Sequence, residues 1–359
     1  MNSKRMGIDL AKQVFQLHGV DRFDKASERK KLNRAQMHRY FKELPPTLMG
    51  MEACGSSHYW GRVLSAFGHT VKLIAPQFVK PYVKSGKNDA NDAEAICEAV
   101  GRSNMRFVAI KSADQQVMQA EHRIRSRLIR ARTALGNEIR GLLGEFGIVA
   151  PQGIGQLRRA LPIIQEDKDN ALTERFKVLL SELADEFRQI DARIDTHDKR
   201  IQVLAREDDR VRRLLAIEGI GPISASALVA AVGDAAQFSC GRDLAAWVGL
   251  VPRQHSSGGK QRLGHITKGG DTYLRTLLIH GARAALNASA KKTDSRSRWA
   301  QALATRRNRN IATVALANKN ARIAWAVLSK GEEYRGAKAD AVIPNAPPDT
   351  SEATSCGAP

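Results

Sequence analysis

Four carboxylates stand where an apolar pattern gives them little reason to be. Asp9 lies inside MGIDLA and Glu52 inside MGMEA, two short apolar runs that read as strands. A carboxylate among Met, Ile and Leu is expensive to keep ionised unless a partner or a metal holds it there. Asp89 and Asp92 open the helical rhythm of NDANDAEAICEAV, three apart and therefore on one helix face. Simpler placements exist: an exposed strand end for either strand acid, and a first helical turn, which favours anions, for the pair. Four acids together raise the metal reading above these. Oxygen donors without nearby His or Cys are the set that magnesium prefers, and two such ions can clamp a phosphodiester during displacement.

A second group lies in GLVPRQHSSGGKQRLGHITKGGD, a glycine-rich loop with Ser256 and Ser257 among His255, Lys260, Arg262, His265 and Lys268. Serine is a weak nucleophile until its proton is removed and the phosphoryl charge is compensated, and imidazole, ammonium and guanidinium groups can do both. By composition alone the loop reads first as a phosphate grip, and neither serine is singled out. Arg253, Lys260, Arg262, Lys268 and Arg275 are its candidate backbone contacts. Upstream, IEGIGP places Gly219 and Gly221 in a tight turn between helical stretches, a helix-hairpin-helix pattern whose amides can cradle a phosphate or simply turn a packed bundle.

The elements that position these residues fall into three regions of different charge. Residues 1–110 carry 18 basic and 10 acidic residues and alternate strand and helix signals. RMGIDLA and VFQLHGVD form a hairpin, a charged helical stretch follows, TLMGMEA and TVKLIAP are strands, and SHYWGRVLSAFG and NDANDAEAICEAV are helices. This order predicts a mixed α/β sheet. Residues 111–215, with 20 basic and 17 acidic residues, predict a helical coiled-coil arm. Its seams are Ile124, Leu128, Leu135, Ile139, Leu142 and Leu180, Leu183, Phe187, Ile190, Ile194, with Gly147 to Pro162 as the connection. Residues 216–335 predict a mainly helical domain, and 336–359 a disordered tail.

Net charge is +20 over 359 residues, which implies a polyanionic partner, nucleic acid before an anionic membrane. Between Arg242 and Arg322 there are 16 basic residues against Asp243, Asp271 and Asp294, a patch whose affinity for phosphates should fall steeply with salt. No apolar run is long enough to span a bilayer, so a cytoplasmic protein, nucleoid-associated when bound to DNA, is expected. Cys54, Cys97, Cys240 and Cys356 form no CxxC pair and support neither a disulfide framework nor a zinc knuckle.

MGIDLAK, MEACGSSHYW and KNDANDAEAI resemble the DEDD transposases of bacterial insertion sequences, relatives of the Piv-type DNA invertases. IEGIGPISASALVAAVGDAAQF, LAAWVGLVPRQHSSGG and ITKGGDTYLRTLLIHGARAAL resemble the C-terminal transposase domain of the same family. The likeness spans roughly residues 4–330, the arm matching only in character. It implies a RuvC-like, ribonuclease H-type α/β domain, a long helical coiled-coil arm, and a mainly helical C-terminal domain with a helix-hairpin-helix. Asp9, Glu52, Asp89 and Asp92 then correspond to metal ligands for Mg2+, and Ser257 to a DNA nucleophile, with Ser256 an ambiguity of one position. The resemblance further implies double-stranded donor and target DNA, a structured noncoding RNA guide, and homodimers assembling to homotetramers. Two other readings stay open: a metal-dependent nuclease resembling a Holliday-junction resolvase, with water as nucleophile, and a non-catalytic architectural DNA-binding protein.

Overall fold

The computed structural model describes residues 3–84, 86 and 88–336; the tail expected over 336–359 lies, except for Gly336, outside the described residues. The chain divides into two compact units, Met1–Leu204 with Ser226–Ser239, and Ala205–Ala225 with Cys240–Pro359.

In the first unit, β1 (Arg5–Leu10), β2 (Val14–Val20), β3 (Ala26–Asn33), β4 (Leu48–Glu52), β5 (Thr70–Ile74) and β6 (Phe107–Val108) form one sheet among the described residues, in the order β3-β2-β1-β4-β5-β6. β1 to β3 run antiparallel, β4 and β5 run parallel to β1 and to each other, and β6 is antiparallel to β5. With α1 (Arg34–Glu43), α2 (Ser57–Ala66), α3 (Pro76–Val79) and α4 (Asp89–Val100), this is the mixed RuvC-like, ribonuclease H-type architecture. The charged stretch expected as helix is β3 in its first half and the helix α1 in its second. The alternation of β3 puts Glu28 and Leu32, both buried, on one face with Lys30, which pairs with Glu28, and turns Arg29 and Lys31 outward; a sheet edge accepts such charges.

Strand alternation splits the sheet residues between two faces. Met6, Ile8, Met49 and Met51 pack with Phe15, Leu17, Met37, Phe41, Trp60 and Leu64, the last four from α1 and α2. Each of these fully buried side chains contributes about 1.5–3 kcal/mol by leaving water. The opposite face of β1 and β4 carries Gly7 and Gly50, paired in register, beneath α4.

The helices α5 (Ala113–Glu145), α6 (Ile154–Glu166) and α7 (Glu174–Glu207) follow. The connection expected from Gly147 to Pro162 is half helical: α6 contains Pro162, and Leu157 and Leu161 are buried in the same core as Leu128, Leu135, Ile139, Leu180 and Phe187. That burial outweighs the roughly 3 kcal/mol penalty of an internal proline. A third helix also widens the buried stripe of α5, so Leu143 is inside while Ile124 and Leu142 are exposed. Asp191 of α7 joins the three, accepting from Arg132 and Arg158 at 2.7 Å each.

The second unit contains α8 (Asp209–Leu215), α10 (Gly241–Val248), the hairpin β7 (Pro252–Gln254) and β8 (Leu263–Ile266), α11 (Thr272–Ala288), α12 (Ser295–Arg306) and α13 (Arg309–Lys330); α9 (Pro222–Val232) belongs to this unit only up to Ala225. α13 packs on α8, α10, α11 and α12, burying Leu316, Ala317, Ala321 and Ala324 with Leu244, Leu274 and Leu278. No helix among the described residues is long and apolar enough to cross a membrane.

Candidate metal centre and serine hairpin

Asp9 lies two residues beyond Gly7 on β1 and Glu52 two beyond Gly50 on β4, so both acids leave the sheet on the face that α4 covers. The two glycines let α4 approach. A Cβ at Gly7 would stand 2.1 Å from the Ala93 carbonyl oxygen and 2.4 Å from the Cys97 nitrogen, and one at Gly50 would stand 2.8 Å from Val100 Cβ. Asn88 caps α4 by accepting from the Ala90 amide, which fixes Asp89 and Asp92 in its first turn, one turn before the residues seated on Gly7. Arg5 secures the other end, its Nε donating to the Cys97 carbonyl at 3.0 Å. Carboxylate oxygens of Asp9, Asp89 and Asp92 consequently lie within 4.8 Å of one another.

This proximity has an electrostatic signature. Burial, then the charges of Asp89, Asp92 and Glu52, push the Asp9 carboxyl up to about 6. Burial and Asp92 push Glu52 up as well. Like charges held together on rigid elements are relieved by a cation, and the donor set is hard oxygen. Cys54 borders the same acids, and burial with Glu52 and Asp9 raises its thiol, which disfavours the thiolate that a soft metal needs. The cluster fits a metal-binding site of the oxygen-ligated kind. Glu52 stands outside the tight trio and faces it electrostatically. Gly7 and Gly50 were absent from the expected site residues, although glycine inside a strand signals close backbone approach.

In the second unit the serines sit at the end of the β7–β8 hairpin. Ser257 and Lys260 bridge the turn, the Lys260 amide donating to the Ser257 carbonyl at 3.0 Å, and Gly258 and Gly259 have φ of +54° and +74°. Positive φ at both central residues is what a type I′ hairpin turn demands and glycine supplies. Ser256 and Ser257 are both exposed. The Ser256 hydroxyl accepts from the Arg262 amide at 3.2 Å, bracing the hairpin, while no such bond engages the Ser257 hydroxyl among the described residues.

Arg253, Lys260, Arg262 and Lys268 are exposed on this hairpin and the loop after it. Arg275, expected as a phosphate contact, is instead 8% exposed. Its guanidinium donates to the carbonyls of Val248 (3.0 Å) and Gly269 (2.7 Å) and to Thr272 Oγ1 (3.1 Å), so it is engaged inside the fold. It clamps a place where backbone meets backbone: a Cβ at Gly270 would lie 1.8 Å from the Trp247 carbonyl oxygen. Gly219 has the turn's left-handed backbone, φ +85°, and a packing reason for being glycine, since its Cβ would meet the Gly281 carbonyl oxygen at 2.6 Å. Gly221, the other expected turn contact, directly precedes α9 and accepts from the Ala225 amide at 2.9 Å.

Comparison with known proteins places both regions. Residues 211–300 match the family described as Transposase IS116/IS110/IS902 family, and residues 6–148 match a further family described as Transposase. The chain is 60% identical over 336 residues to a protein named Probable family 20 transposase from Pseudomonas aeruginosa, covering 93% of this chain and 99% of the relative. It is 46% identical over 332 residues to the transposase for insertion sequence element IS1111A of Coxiella burnetii (92% and 91% covered). It is 39% identical over 333 residues to the transposase for insertion sequence element IS1328 of Yersinia enterocolitica (93% and 99% covered).

Proposed function

The chain belongs to the IS116/IS110/IS902 family of insertion-sequence transposases, enzymes that act on DNA, and from that premise we propose that it cuts and rejoins DNA strands using metal-binding carboxylates, Asp9, Glu52, Asp89 and Asp92, and Ser257 as nucleophile. The observation that carries the metal-dependent part is the convergence of three carboxylates within 4.8 Å. Magnesium bound there would supply Lewis-acid stabilisation of charge on the phosphodiester oxygens. Asp9 and Asp92, held by strand and helix, fix the ligand positions before DNA arrives, and Glu52 adds a fourth carboxylate at the margin.

In the serine reading, the Ser257 Oγ–P bond forms as the P–O3′ bond breaks. The serine proton ends on the departing 3′-hydroxyl, and the phosphodiester is stored as a phosphoserine ester until a second 3′-hydroxyl reverses the step. Exchange of strands then needs no nucleotide triphosphate. Arg253, Lys260, Arg262 and Lys268 are the cations nearest in sequence for the phosphates, and the engaged Ser256 hydroxyl favours Ser257 as the attacking group. A structured noncoding RNA carried by the element would choose donor and target DNA, with homodimers pairing into a homotetramer.

The acid cluster taken alone favours a second reading more directly: a metal-dependent nuclease in which water attacks. Trapping on a labelled, nicked DNA substrate separates the two. The serine reading expects a covalent protein–DNA adduct that is lost in S257A and kept in S256A. Cleavage at wild-type rate by S257A with no adduct establishes the hydrolytic reading instead. Sequencing the nucleic acid that copurifies with the full chain tests the guide, because a single structured RNA species is expected.

A further inference from the structure

Beside the root of the serine hairpin lies a groove of about 900 Å3 for which the strand chemistry has no use. Pro252 and Ile266, paired across β7 and β8, form one wall. Trp299 of α12 and Ile311 of α13 form another; Trp299 is 38% exposed and Ile311 53%. Lys319 and Arg322 of α13 also line it, and the Lys319 ammonium stands 4.5 Å from the centre of the Trp299 ring. No carboxylate occurs among its lining residues. Burial and the neighbouring charges of Arg296 and Arg322 push the Lys319 ammonium down, the condition of a cation crowded by cations.

An apolar groove with an aromatic face and a row of unopposed cations fits a ligand that joins a flat hydrophobic body to an anion. An unpaired nucleotide is such a ligand. Its base stacks on an aromatic ring, its phosphate meets lysine or arginine, and the volume lies at the upper end for small-ligand sites, with room for more than one nucleotide. Duplex DNA fits less well, because its base faces are already stacked. A second copy of this chain, rich in lysine and arginine, matches these cations less well than a phosphate does.

We infer that this groove binds a single-stranded stretch of nucleic acid, with an unpaired base stacked on Trp299 and flanking phosphates on Lys319 and Arg322. The groove flanks the root of the hairpin that carries Ser257, and only its use in holding an opened strand for that serine rests on the strand-exchange reading above.

Fluorescence anisotropy with the full chain, without divalent ions, tests it against a labelled oligothymidine of about 12 nucleotides and a duplex of the same length. Trp299→Ala is expected to weaken oligothymidine binding about tenfold with an unchanged salt slope, and duplex binding less than about twofold. Lys319→Met keeps the aliphatic stem and is expected to reduce the log–log salt slope for oligothymidine by about 0.7. Trp299→Phe should retain most of the affinity, and serves if Trp299→Ala fails to show a native circular dichroism spectrum. Arg298→Ala, exposed on the same helix outside the groove, should weaken single strand and duplex alike. Wild-type oligothymidine affinity in both Trp299→Ala and Lys319→Met overturns the inference. So does an equal loss for duplex and single strand, or a change of oligomeric state in Trp299→Ala, which would assign the groove to a second copy. Intact oligothymidine binding in a protein that never cleaves DNA would defeat the recombinase reading and leave the groove standing.

Discussion

The acid centre and the serine hairpin are built in opposite physical ways. Asp9 and Asp92 are half-buried on a strand and a helix locked together through Gly7 and Gly50, so their geometry is set by the core and their mutual repulsion is built in before any ligand binds. Ser257 is exposed at the end of a two-residue glycine turn whose neighbours are exposed cations, so the core does not set its surroundings. Substitutions in the first region should therefore couple stability to chemistry, and those at the tip of the second should separate them.

The largest expected effect is on activity. D9N should lower metal-dependent DNA cleavage about 10^3-fold by removing a ligand from a preorganised charge site. The metal-free protein should melt at the same or a slightly higher temperature above pH 6, because a destabilising carboxylate is gone. A D9N protein that cleaves normally breaks the comparison at its root. Next is G7A, whose Cβ would collide with the α4 backbone; a loss of about 3 kcal/mol in denaturant unfolding, with weakened metal binding, is expected. An unchanged unfolding midpoint would mean that α4 is not seated as described.

R275M sharpens the contrast within the second unit. Leaving the Val248 and Gly269 carbonyls without their donor should lower stability by about 2 kcal/mol, whereas exposed Arg262→Ala should leave unfolding unchanged and reduce the DNA salt slope by about 1. The smallest effect is a pH dependence. The Asp9 carboxyl is raised to about 6 from its ordinary 3.8, so the folded metal-free protein binds a proton that the unfolded chain releases. Its contribution to stability is present below about pH 4 and is lost as pH rises through 6. A cation competes with that proton, so divalent-ion affinity, read by the thermal shift on adding Mg2+, should fall about tenfold from pH 7 to pH 5. A flat profile would place the ion away from Asp9.

Asp9 was legible because burial is written into the apolar residues around it: in MGIDL it is an exception to a strand pattern, and exceptions stand out; Glu52 in MGME stood out in the same way, and the structure leaves it outside the tight trio. Asp89 and Asp92 were legible from helical spacing. Arg275 misled, because a guanidinium in a basic, glycine-rich region has the same composition whether it faces phosphate or a pair of backbone carbonyls. Leu142 and Leu143 were similarly ambiguous, since a one-residue shift in a helical stripe depends on how many helices pack against it, and α6 was hidden by Pro162. β3 was hidden by its charges, which an edge strand accepts and a central strand does not.

By itself the order of residues determined which groups are available for chemistry, the strand and helix periods that carry the acids, and the excess of positive charge, because these are local or additive properties. Only the tertiary structure decided that three carboxylates converge, that Gly7 and Gly50 let α4 descend onto the sheet, and that Arg275 is committed inside the fold while its basic neighbours are free to meet solvent. Those outcomes depend on backbone approaching backbone between residues far apart in the chain, and the sterics of such contacts have no counterpart in the pattern of either segment alone.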